Sequence, residues 1–151
     1  MSQRPAPLRF SVMTSEEQAF LHDFEARTFP FKDWHHRAHL TLAYLYVTSF
    51  PLEIALQKAC TGIRAYNAAN GVIDTPTTGY HDTMTQFWVR VVHAMVLQYG
   101  PAATAEEFLD GQPQLAQQKI HRLFYSRALF MSPEAKATFV PPDLAPLPRM
   151  A

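Results

Sequence analysis

The sequence predicts an all-α, single-domain helical bundle with short C-terminal helices and a Pro-rich extended tail. Three observations carry this reading. Apolar residues through the middle of the chain recur at helical spacing, prolines cut the chain at helix-length intervals, and no alternating strand pattern of useful length occurs. Pro30, Pro51, Pro76 and Pro101 leave three proline-free segments of 20 to 24 residues, each as long as a helix with its connection. At 151 residues, one domain can bury a sizeable core.

The elements follow in order. Residues 1–13 read as an N-terminal extension. Thr14-Ser15-Glu16-Glu17 is a capping-box pattern, and the helix it opens should run to about Arg27 with Phe20 and Phe24 inward. A second helix should take Asp33 as N-cap and end near Ser49, its Leu40–Val47 stretch almost wholly apolar. The third should begin at Pro51 and carry Leu52, Ala55, Leu56, Ala59, Ile63 and Tyr66 on one face. Asn70-Gly71 would close it. A fourth should run from about His81 to Gln98 and stop at Gly100-Pro101. Thr104-Ala105-Glu106-Glu107 is a second capping box, for a short helix to about Leu109. A further helix is expected over Pro113 to Phe124, and Ser132-Pro133-Glu134 should start another turn or two. Pro141, Pro142, Pro146 and Pro148 make residues 141–151 an extended tail, expected to pack along the body because Val140, Leu144 and Leu147 are too apolar for a solvated one.

Composition narrows the function. Hydrophobic content of 48% excludes a chain disordered throughout, and 13 acidic residues balance 13 basic ones. That neutrality supplies no field for nucleic acid or an anionic membrane. Charged residues at 17% are sparse, which leaves apolar surface for a partner and admits a homodimer. Cys60 is alone, so an internal disulfide and a cysteine-rich zinc module are both excluded. Its apolar, mid-helix neighbours mark it as a buried structural thiol. The N-terminus has no apolar signal-peptide region, and no run reaches the ~18 apolar residues of a membrane span. The expectation is a soluble cytoplasmic protein acting on a small-molecule substrate.

The chemistry concentrates in Trp34-His35-His36-Arg37-Ala38-His39, which places three of seven histidines within five residues. On a helix, His36 and His39 (i, i+3) share a face beside the apolar stripe, with His35 turned outward. Gly79-Tyr80-His81-Asp82-Thr83 offers a third imidazole at another helix start. A helix N-terminus disfavours a second proton on imidazole, and the neutral ring is the form that binds metal or accepts a proton. His36, His39 and His81, with Asp82 as fourth ligand or orienting acceptor, could therefore hold one divalent transition metal. Nitrogen-rich ligation suits Zn, Fe, Ni or Cu, and Asp33, Thr83 and Thr85 are outer candidates. His93 falls about three turns too far along its helix, and His22 and His121 sit among polar neighbours.

The segments Trp34–Leu40, Ile63–Asn67, Gly79–Thr85 and Tyr125–Phe130 together resemble a group of uncharacterised small all-helical proteins. That group pairs a W-x-H-R-x-H-L segment with a later G-Y-H-[DE]-T segment. The resemblance spans roughly residues 30 to 145. It implies that His36, His39 and His81 are the shared histidines and that His35 varies. It brings no activity. Where the group has Glu after the later histidine, this chain has Asp82, one methylene shorter.

Arg64, Tyr66, Asn67 and Trp88 are candidates to line a substrate pocket, with the alternative that Tyr66 and Trp88 are core aromatics and Asn67 caps its helix. Arg37 and Arg127 could pair an anionic substrate or be surface charges. The leading expectation is a small metalloprotein, an enzyme in which the metal activates water or orients an oxygen-bearing substrate. A second is a metal-free enzyme with His36 and His81 as base and acid and Arg37 fixing the substrate. A third is a non-catalytic helical interaction module.

Overall fold

A computed structural model describes residues 12–148, so residues 1–11 of the expected extension and the last three of the tail lie outside the described residues. The described residues form seven α-helices: α1 (Ser15–Glu25), α2 (His36–Ser49), α3 (Leu52–Ala69), α4 (Asp82–Tyr99), α5 (Ala105–Asp110), α6 (Arg127–Phe130) and α7 (Pro133–Ala137). Among the described residues there is no strand, only an isolated Thr75–Thr78 bridge in the α3–α4 loop. None of these helices is long and apolar enough to cross a membrane. The all-α expectation holds.

Local chemistry sets most boundaries. Thr14 Oγ1 accepts from the Glu17 N–H at 3.1 Å while the Glu17 carboxylate accepts from the Thr14 N–H at 3.0 Å, which completes the capping box of α1. Thr104, Ser126 and Ser132 cap α5, α6 and α7 through their side-chain oxygens. Both α1 and α3 end in Schellman motifs, with the left-handed position held by Arg27 (φ 64°) in the first and Gly71 (φ 71°) in the second.

Two boundaries depart from expectation. Phe31–Asp33 closes a separate 3₁₀ turn, so His35 rather than Asp33 is the N-cap of α2, and His36 is its first residue. Pro113 to Phe124 is not one helix but two 3₁₀ turns, Pro113–Ala116 and Ile120–Leu123, with Gln117 extended (φ −78°, ψ 97°) between them.

Helices α2, α3 and α4 pack against one another and form the core. α1 lies on α3, α5 on α2 and α7 on α4. Every residue of α2 from Leu42 to Thr48 is buried, which marks the central helix, apolar on all sides because it is covered on all sides. α1 approaches α3 at Gly62, where a Cβ would stand 2.8 Å from Phe24 Cε1, so the Phe24 ring occupies the space of the missing side chain. Phe24 in turn stacks on Trp34 at 5.1 Å, and Trp34 meets Tyr66 at 4.9 Å. This aromatic cluster seats the α1–α2 connection and fixes where α2 begins. The tail runs along the body: Tyr125 donates to the Val140 carbonyl at 2.7 Å, the Leu144 N–H donates to the Phe124 carbonyl, and Val140 and Leu147 pack on the core. The Leu144 side chain is exposed.

Candidate functional site

Because α2 and α4 run the same way with α3 reversed between them, their starts share an end of the bundle with the second half of α3. There they enclose a cavity of about 400 Å³. His36, His39, Leu42 and Ala43 of α2 face a single stripe of α3, formed by Ala59, Ile63 and Asn67 at four-residue spacing. His81, Met84, Thr85 and Trp88 supply the α4 wall. His36, His39 and His81 therefore line one cavity. His35, expected to turn away, is exposed but stands at its rim.

Hydrogen bonds assign each imidazole its tautomer, since a carbonyl can only accept and a backbone N–H can only donate. His39 Nδ1 donates to the His35 carbonyl at 2.9 Å, which leaves Nε2 with a lone pair and no partner among the described residues. His36 Nε2 donates to the Leu115 carbonyl at 2.8 Å, which leaves Nδ1 likewise free. His81 differs. Its Nδ1 accepts the Met84 N–H at 3.0 Å as the N-cap of α4, and its Nε2 donates to the Phe130 carbonyl at 2.9 Å. Both of its nitrogens are engaged, so it has no lone pair for a metal and no site for a proton in transit. Among the described residues no three His, Cys, Asp or Glu side chains are grouped to hold a metal ion. With both His81 nitrogens engaged, the expected donor set is short of its third member.

Burial pushes the His39 pKa down. The His35 carbonyl opposes the shift, and the neighbouring His36 and His35 reinforce it. The Trp34 ring covers His39 at 4.1 Å between centroids and excludes water from that face. A half-buried imidazole whose pKa is lowered, with one nitrogen tied to a carbonyl and the other free, is the arrangement of an oriented base.

Asp82 is elsewhere. Its carboxylate lies behind the cavity wall, accepting from Tyr80 Oη at 2.6 Å and Gln86 Nε2 at 3.0 Å, with Arg64 Nη2 at 3.5 Å. It is 6% exposed and does not line the cavity. Burial, reinforced by hydrogen bonding to Asp82, drives the Tyr80 pKa far upward, so that hydroxyl stays a donor. Arg37 is also removed from the cavity, pairing with Asp110 at 2.8 Å across the α2–α5 surface. Of its two expected roles, substrate anchor or surface charge, the geometry gives it no place on the cavity wall. His81 likewise cannot serve as the acid or base of such a pair without breaking its cap.

Of the four substrate-binding candidates, Asn67 and Trp88 line the cavity. Tyr66 is a fully buried core residue whose hydroxyl donates to the Phe29 carbonyl at 2.6 Å, and Arg64 lies over the Tyr80 ring outside. Thr83 pins the tail, donating to the Thr138 carbonyl and accepting the Val140 N–H, while Thr85 reaches the cavity. Asp33 is exposed and His93 is partly buried further along α4, neither on the cavity. Cys60 is buried and its pKa raised by that burial, as expected of a structural thiol. Sequence reading gives no pocket signal for Ile63, which periodicity puts on the apolar face of its helix, or for Met84. It also missed Gln118, whose position in irregular backbone gave no signal. Compared with protein-family models, with curated proteins and with solved structures, the chain finds no match in any of the three.

Proposed function

We propose that this protein binds a small, uncharged, largely apolar molecule at the α2–α3–α4 cavity and acts on it as a metal-free general-base enzyme, with His39 as the base. The observation that carries the reading is the pair of unpartnered nitrogens, His39 Nε2 and His36 Nδ1, on a wall that holds no Lys, Arg, Asp or Glu. Such a wall favours a neutral ligand, and its apolar lining with a few convergent polar groups is that of a ligand site. His39 Nε2 takes a proton from the ligand's most acidic C–H or O–H. The His35 carbonyl stabilises the imidazolium that forms. Asn67 and Thr85, with no side-chain partner among the described residues, orient the ligand's oxygen.

A second reading, a metal held by His36 and His39 with an outside donor, is favoured by the same two free nitrogens at i, i+3 spacing. One experiment tests both. Untagged protein is analysed for metal and screened by thermal shift against neutral aromatic and aliphatic ketones, amides and alcohols. The wild type should be metal-free and raised in melting temperature by a subset of these compounds, and His39→Gln should keep the binding but lose turnover. Stoichiometric metal that disappears in His39→Ala would replace the base reading with the metal one. Metal-free protein that no compound stabilises would count against both.

A further inference from the structure

A second cavity, of about 490 Å³, lies on the opposite side of Tyr80 from the histidines, between the end of α3, the α3–α4 loop and α7. We propose that it is a binding site for a small organic anion bearing a carboxylate or a phosphate, held by Arg64 and Lys136. Its charge is unlike that of the molecule as a whole. The chain is formally neutral, whereas this lining carries two cations against the single carboxylate of Asp74.

The two cations are presented differently, and each has donors to spare. Arg64 is stacked on Tyr80, its Cζ 4.5 Å from the ring centroid, which holds the guanidinium in place without using its N–H groups. Among the described residues its one polar contact is Asp82 Oδ1 at a long 3.5 Å. Asp82 does not depend on that contact, because Tyr80 and Gln86 already donate to its two oxygens. Lys136 is drawn inward to 19% side-chain exposure by donating to the Tyr80 carbonyl at 2.8 Å, and Asp74 Oδ1 is its other neighbour at 3.7 Å. An ammonium has three donors, so at least one remains for a ligand. Asp74 Oδ1 also accepts the Tyr80 N–H at 2.8 Å, which fixes the carboxylate as part of the loop clasp. Pro76, Met131 and Pro133 provide an apolar wall for the body of the anion, and the fork of Arg64 suits two coplanar oxygens.

The site is independent of the base assigned to His39, and its test separates the two. Isotope-labelled full-length protein is titrated with inorganic phosphate and, separately, with benzoate, following backbone amide shifts by NMR. Saturable shifts confined to residues 74–80 and 131–137 are expected from at least one probe, weakening as salt rises. Benzoate alone would mark a carboxylate site, and phosphate alone a phosphate site. Arg64→Gln should weaken binding roughly tenfold, the effect of losing one charge-assisted pair. Lys136→Met should do the same, and Arg127→Gln, an exposed charge outside the cavity, should change nothing. Melting curves of the variants show whether each remains folded. Shifts that never saturate, or that saturate in folded Arg64→Gln at the same ligand concentration as in the wild type, would overturn the proposal.

Discussion

His81 is where residue chemistry and fold meet. Its ring caps α4 through Nδ1, ties α6 through Nε2 and stacks on Phe130 at 4.5 Å, and His121 stacks on the same ring at 4.3 Å. His81→Ala should cost about 2 kcal/mol, from the lost cap and a stranded carbonyl, read from urea unfolding. His81→Asn should recover the cap share and not the rest. His39, His81, His93 and His121 all have pKa values lowered from 6.5, burial being the first cause of each. Below pH 6.5 the unfolded chain therefore binds protons that the folded chain does not, so stability falls with acid. The contribution of these histidines is complete above about pH 6.5 and is lost as pH drops through their folded values. Urea midpoints at pH 7.5 and pH 5.0 should differ in that direction, and less so in His81→Asn. The histidines themselves were legible from their spacing. Their partners were not, because the carbonyls of Leu115 and Phe130 lie 79 and 49 positions away and carry no residue signature.

Elements were most legible where one turn decides them. Thr14 with Glu17, Thr104, and Ser132 with Pro133 each mark a helix start through contacts within three residues. Asp33 misled because the aromatic cluster around Trp34 holds residues 31–34 in their own turn, a tertiary effect that a local capping rule cannot register. The Pro113–Phe124 segment, with three glutamines and no glycine, has helical propensity and yet folds as two short turns, with Leu115 buried and its carbonyl given to His36. The two Schellman motifs make a paired test. Arg27 occupies at φ 64° the position that Gly71 fills at φ 71°, so Arg27→Gly should stabilise by about 0.5–1 kcal/mol and Gly71→Ala should destabilise by about 1 kcal/mol. Gly62→Ala should also destabilise, by about 1–3 kcal/mol, despite alanine's better helix propensity. Phe24 is 1% exposed and has nowhere to go. Chemical denaturation of the three variants checks the signs, and a stabilised Gly62→Ala would show the α1–α3 contact to be looser than described.

Across the whole molecule, the central three helices form a regular bundle while the last third is held as a wrapping, and the two were unequally legible for that reason. Periodicity revealed α2, α3 and α4, which bury stripes; the wrapping buries isolated residues such as Leu115, Tyr125 and Phe130 at no fixed period. Deleting residues 141–151 removes the Asp143 acceptor of the Ser126 N–H, the Leu144–Phe124 bond and the Leu147 contact. A loss of about 2–3 kcal/mol, near 5–10 °C in melting temperature by calorimetry, is expected. An unchanged melting curve would mean that the tail contacts contribute nothing. The bonds from His36 and His81 into this wrapping end on peptide oxygens rather than side chains. A main-chain acceptor survives any replacement of its own residue that keeps the backbone path. The exposed residues Ala116 and Gln117 beside Leu115 should therefore tolerate almost any change of letter, whereas a single residue inserted or removed between Leu115 and Phe130 should displace one acceptor against the other and loosen the grip on its histidine.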